Sequence, residues 1–145
     1  MIEVRHPSAA DETARLLFAR LQIVQPNAHS LLLAWTTDAD RAARVSIAAL
    51  LADAYRGAGR ETALIELGDE LLTVDDMRAA LARSPFTIVQ GAGLADSPAT
   101  IVAARAVDAV VILVRRGRTK RSTLAALRSE LVAAGVSIAG AVLLD

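Results

Sequence analysis

The sequence predicts a three-layer α/β fold: a mainly parallel five-stranded sheet with helices on both faces and an extra N-terminal helix. Three observations lead there. Short, wholly apolar runs alternate five times with longer amphipathic ones, and the connections between them span only a few residues. The apolar runs also lack the polar–apolar alternation of a strand with one wet face, so they fit strands covered on both sides. Alternation of this kind calls for parallel strands joined by right-handed crossovers.

The elements follow in order. Ala9–Val24 reads as a helix preceding the first strand, Ser30–Trp35 (SLLLAW). Arg41–Gly57 places Ile47, Leu50, Leu51 and Ala54 at i, i+3, i+4 and i+7, a helix with a broad apolar face stopped by Gly57 and Gly59. Thr62–Leu67 is the second strand, and Val74–Arg83 is a short helix entered through Thr73 and ended by Pro85. Phe86–Val89 is a short third strand leading into a loop at Gln90–Pro98, followed by a helix near Ala99–Ala106. Ala109–Val114 (AVVILV) is the clearest strand. Thr119–Ala134 carries Leu124, Leu127 and Leu131 on one stripe, with Gly135 past its end, and Ser137–Leu144 closes the chain as the fifth strand.

The 145 residues have the length of one domain, with a helical leader over 1–27 and an α/β core over 28–145. Hydrophobic residues make up 54% and charged residues 22%, which excludes a disordered chain. Sixteen basic side chains balance sixteen acidic ones, so charge gives no push toward nucleic acid. Cysteine is absent, excluding disulfides, thiolate zinc sites and a cysteine nucleophile. His6 and His29 lie far apart, so no metal is implied. No run reaches the roughly 18 apolar residues of a membrane helix; the longest, Leu131–Leu144, is shorter and holds two glycines. The opening, MIEVRHPSAADE, lacks an apolar signal core, which predicts a cytoplasmic protein.

In open parallel sheets the ligand site lies beyond the carboxyl ends of the strands. The loop after the first strand contains Asp38 and Asp40, then Arg44 and Ser46, with no glycine and no lysine. A phosphate loop needs glycines there, because backbone N–H groups must converge on the phosphate and a Cβ obstructs the turn. Two carboxylates repel a triphosphate unless a metal bridges them, and helix capping is the commoner role for an aspartate at that place. After the third strand, Gln90-Gly91-Ala92-Gly93 has glycine without an acid, and a tight turn is its commoner meaning.

Two segments stand in a telling order: Pro7, Ser8, Glu12 and Arg15 near the start, then Val110–Val114, Arg116–Thr119 and Ala134–Leu143 near the end. They carry a resemblance that runs along nearly the whole chain, which is similar to the bacterial tyrosine kinases of capsule and exopolysaccharide synthesis. These are built on the P-loop, Rossmann-like fold of the deviant-Walker partition and cell-division ATPases. The family leader P-x-S-x-x-x-E-x-x-R-x-L is similar to the stretch holding Pro7, Ser8, Glu12 and Arg15. Its last unit, a strand, an R-x-G-x-T turn, a helix and A-G-V-x-x-x-G-x-V-L, is similar to Val110–Val114, Arg116–Thr119 and Ala134–Leu143. The resemblance implies a P-loop-NTPase-like fold, but the catalytic motifs depart from it. Arg44 falls at the phosphate-loop lysine, with Val45 and Ser46 at the hydroxyl positions that follow. The second acidic motif becomes Ala63-Leu64-Ile65-Glu66, and the third places neutral Gln90 where the magnesium-organising aspartate stands. A planar guanidinium does not act as a compact ammonium, and phosphoryl transfer depends on positioned charge and metal. The family's tyrosine-rich tail has no counterpart, since the sole tyrosine is Tyr55.

Two classes of function follow. The first is a catalytically silent adaptor or regulator with no cofactor, contacting a membrane chain-length or export protein of a polysaccharide pathway, or associating as a homo-oligomer. It would be cytoplasmic, with any membrane association made through that partner. The contact surface is expected on the first helix. There the family's E-x-x-R-x-x-R helix packs against a neighbouring subunit, and Glu12, Arg15 and Phe18 stand at the matching positions. The alternative is an atypical nucleotide-binding or ATP-hydrolysing switch using Arg44 and Glu66. The basic cluster Arg115, Arg116, Arg118, Lys120 and Arg121 has the charge to dock on phosphate or lipid headgroups, although a solvated loop is its commoner meaning.

Overall fold

A computed structural model describes residues 9–36, 41–68, 72–94, 97–115, 117 and 120–144. The helices are α1 (Ala9–Val24), α2 (Arg41–Gly57), α3 (Val74–Leu81), α4 (Pro98–Ala106) and α5 (Arg121–Ala133). Between them run β1 (Ser30–Trp35), β2 (Thr62–Glu66), β3 (Phe86–Gly91), β4 (Ala109–Arg115) and β5 (Ile138–Leu144). The strands form one sheet in the order β2-β3-β1-β4-β5, and every pairing is parallel. The expected α/β architecture is therefore present, with β1 at the centre.

The apolar runs divide by residue parity, as a period of two requires. Leu31, Leu33 and Trp35 of β1 join Phe86, Ile88, Val111 and Leu113 beneath α1 and α2, whose Leu17, Leu21, Ile47 and Leu51 complete that layer. Leu32 and Ala34 face the other way with Val89, Val110 and Ile112, covered by Met77 of α3, Ala103 of α4 and Leu127 and Leu131 of α5. Leu31 and Leu32 are wholly removed from water, worth about 1.5–3 kcal/mol apiece by burial. This two-sided covering is why the strands read as continuous apolar runs.

Local signals set the boundaries. Thr73 caps α3: its Oγ1 accepts from the Asp76 N–H at 3.0 Å while the Asp76 carboxylate accepts from the Thr73 N–H at 3.3 Å. Gly135 follows α5 with φ of +79°, the left-handed conformation that glycine allows at a helix end. β3 runs two residues beyond the expected Val89, because Gln90 and Gly91 pair in register with Leu33 and Ala34 of β1. The Gln90 carbonyl also accepts from Leu67 N–H at 2.9 Å, so both neighbouring strands hold the extension. Among the described residues no helix is long and apolar enough to cross a membrane.

Candidate functional site

The carboxyl ends of β1, β2 and β3 meet where a doubly wound sheet holds its ligand. Trp35, Glu66 and Gln90 occupy those ends, with Glu66 directly opposite Gln90 in the β2–β3 register. Adjacent strands lie about 4.8 Å apart, so these two residues share one rim. The Leu94 N–H donates to the Trp35 carbonyl at 2.8 Å, folding the loop after β3 back over the end of β1.

Of the positions singled out in the sequence, Asp38 and Asp40 lie outside the described residues, as do Arg116 and Arg118. Arg44 and Ser46 lie in the first turns of α2, directly after that loop. Glu66 is exposed at the end of β2. Gln90 is the opposite case: only 4% of it is accessible, and its Oε1 has no hydrogen-bond partner among the described residues. A buried acceptor left unpaired costs about 1–3 kcal/mol, so this oxygen calls for a partner beyond the described residues. No group of three or more His, Asp or Glu side chains gathers among the described residues.

The glycine after Gln90 has a role that turn chemistry does not account for. Gly91 is the last strand residue and does not have positive φ. A Cβ there would stand 2.6 Å from Thr100 Oγ1 and 3.1 Å from Leu67 Cδ1. Thr100 is wholly buried, and its hydroxyl donates to the Ala92 carbonyl at 3.0 Å. Gly91 thus lets α4 close onto the sheet beside the rim, an approach invisible in the GAG triplet because Thr100 comes from the next helix.

On α1, Glu12 and Arg15 are exposed. Phe18 is half-buried, its ring set edge-on to Tyr55 with centroids 4.9 Å apart. Tyr55 in turn packs on Phe86 at 4.4 Å, and the Arg60 guanidinium lies 4.1 Å from the Phe86 ring centre. Burial pushes the Tyr55 phenol above the ordinary tyrosine range, with the charge of Arg60 opposing that shift. The sole tyrosine is therefore neutral at physiological pH and only 3% accessible. Helix periodicity did not separate Phe18 from Glu12 and Arg15, because residues three apart drift around a helix rather than sharing one line. Leu16, at 63% accessible, Ile23, at 77%, and Val24, at 50%, are the large apolar side chains that α1 gives to solvent among the described residues.

No protein-family profile and no curated protein matches this sequence. Solved structures do. The kinase domain of the Escherichia coli tyrosine kinase ETK superposes with a TM-score of 0.75 at 16% identity, over 92% of this chain and 74% of that one. The VpsO kinase domain gives 0.73 at 12% identity over 94% of both chains. The chimeric protein CapA2B2 gives 0.70 at 14% identity, over 92% of this chain and 83% of that one. The parallel sheet, the rim at its carboxyl ends and these superpositions agree: the chain has the fold of bacterial tyrosine-kinase domains.

Proposed function

We propose that this protein is a catalytically silent, tyrosine-kinase-like adaptor or regulator of bacterial exopolysaccharide or capsule synthesis and export. It acts by contact with a membrane-bound chain-length or export protein, which would bring it to the membrane, or with further copies of itself. Gln90 carries this reading. In the sequence resemblance it takes the place of the magnesium-organising aspartate, and in the fold it is a neutral, nearly inaccessible amide. Without that carboxylate, and without glycines or lysine in the loop after β1, the chain lacks the family's own set of groups for holding magnesium and stabilising a transferring phosphoryl group, although Glu66 stands on the rim. The buried Tyr55 adds support, since a phosphate acceptor must reach solvent.

The contact surface of this reading is the outer side of α1. Glu12 and Arg15 supply charge, Leu16 and Ile23 supply apolar area, and Phe18 anchors the helix to Tyr55 beneath them. The unpartnered Oε1 of Gln90 favours a second reading, a nucleotide-binding switch in which a ligand or water satisfies that amide. Incubation of pure protein with γ-labelled ATP and magnesium separates the two. The adaptor reading expects neither phosphate release nor label on Tyr55. Turnover that disappears in Arg44→Ala would establish the switch instead.

A further inference from the structure

We propose that the outer edge of β5 takes up an extended segment of another protein as a sixth strand, and that this segment alternates apolar residues with carboxylates. β5 ends the sheet, and among the described residues it pairs only with β4. Its far side presents the row of backbone donors and acceptors that templates a further strand. Natural edges are blunted by lysine, proline, inward charge or a bulge. β5 reads IAGAVLL, and its one irregularity is a register shift at Ala139; from Gly140 to Leu144 it pairs regularly with β4 and carries none of these devices.

Among the described residues nothing covers either face beside this edge. A groove of about 250 Å³ separates β5 from α1, and one of about 1050 Å³ separates it from α5. Leu16 and Val24 line the first and Val132 the second, each at least half exposed, and Leu143 on β5 is 55% accessible. An added strand alternates its side chains between the two grooves, so its apolar residues would cover Leu16 and Val24 beside α1 and its carboxylates would lie beside α5, near Arg121 and Arg128.

Charge selects the occupant. Among the described residues, the ionisable ones lining the grooves are Arg20 on the α1 side and Arg121 and Arg128 on the α5 side, with no acid in either. In a chain of zero net charge this is a local asymmetry that favours carboxylates. It also disfavours a second copy. Two-fold antiparallel pairing of β5 would bring Arg128, close to the middle of α5, toward its own counterpart. The β5 edge is separated from the Glu66–Gln90 rim by β4 and β1, so nucleotide chemistry there neither supports nor weakens the assignment.

The test is fluorescence anisotropy with a labelled short peptide alternating valine and glutamate. A valine–lysine peptide and a valine–glutamate peptide with a central proline serve as comparisons. The glutamate peptide is expected to bind at least about tenfold more tightly than either, a difference of about 1.4 kcal/mol. The double variant Arg121→Glu with Arg128→Glu, both exposed, should shift preference to the lysine peptide. Gly140→Glu should abolish binding, since a Cβ at Gly140 meets nothing within 4 Å and the side chain, on the same face as Val111, would stand in the α1-side groove. Equal binding of the glutamate and lysine peptides, or no binding at about 1 mM, overturns the proposal. So does a wild-type dimer in sedimentation that Gly140→Glu dissociates, because the edge would then belong to a second copy.

Discussion

The two ends of the sheet are built differently. At the amino ends, side chains fix the starts of β1, β2, β3 and β4. Arg60 lies over Phe86 and donates from Nη2 to the Ala28 carbonyl at 2.6 Å, while Arg56 donates from Nε and Nη2 to the Thr62 carbonyl at 3.1 and 3.0 Å. The Asp108 carboxylate accepts from the His29 N–H at 2.7 Å, and the Asp108 N–H donates to Ser30 Oγ at 2.9 Å, tying the start of β1 to that of β4. At the carboxyl ends, by contrast, Gln90 brings a buried acceptor without a partner among the described residues. Among the described residues the amino ends are thus tied by charged side chains, and the carboxyl ends by backbone contacts such as Leu94 to Trp35 and Leu67 to Gln90.

This contrast is sharpest in three substitutions. Phe86→Ala removes the ring shared by Tyr55 and Arg60 at the amino end, and should cost about 3–5 kcal/mol in urea unfolding. A loss below about 1 kcal/mol would break the comparison by showing that the aromatic–arginine cluster carries little stability. Gly91→Ala, at the other end, forces a Cβ onto Thr100 Oγ1 and should cost about 1–3 kcal/mol. Adding Thr100→Ala removes the clashing oxygen, so the double variant should be less destabilised than the two single losses combined. Strict additivity would show that the helix and strand have room to part. Gln90→Leu should be the mildest, within about 1 kcal/mol of wild type or slightly stabilising, because it deletes an unpaired acceptor while keeping the apolar bulk. A larger loss would mean that the amide holds a partner after all.

The fold was legible because strands buried on both faces must be apolar throughout, and SLLLAW and AVVILV are nothing else. The parity of Leu31 through Trp35, dividing one run between two layers, needs only the strand period. The extension of β3 was not legible: Gln90 and Gly91 have weak strand propensity, and pairing with β1 and Leu67 holds them there. The positions Arg44, Glu66 and Gln90 could be chosen only through the resemblance, since no spacing rule marks them. That Glu66 and Gln90 share a strand-end rim then followed from topology, with Arg44 in the first turns of α2. Arg60 over Phe86 and Phe18 on Tyr55 were out of reach, because such pairs join residues distant in the chain. The β5 edge was hidden for a different reason. An apolar run looks the same at the edge of a sheet as at its centre, and only strand order tells them apart.

The most direct measurement is the melting temperature of the pure protein titrated with ATP and ADP in the presence of magnesium. A ligand at a hundred times its dissociation constant stabilises the native state by about 2.7 kcal/mol, so even weak occupancy of the rim is readable. A silent rim predicts a melting temperature unchanged up to millimolar nucleotide, in wild type and in Arg44→Ala alike. A rise that grows with nucleotide concentration and vanishes in Arg44→Ala would contradict it and make the protein a nucleotide-binding switch.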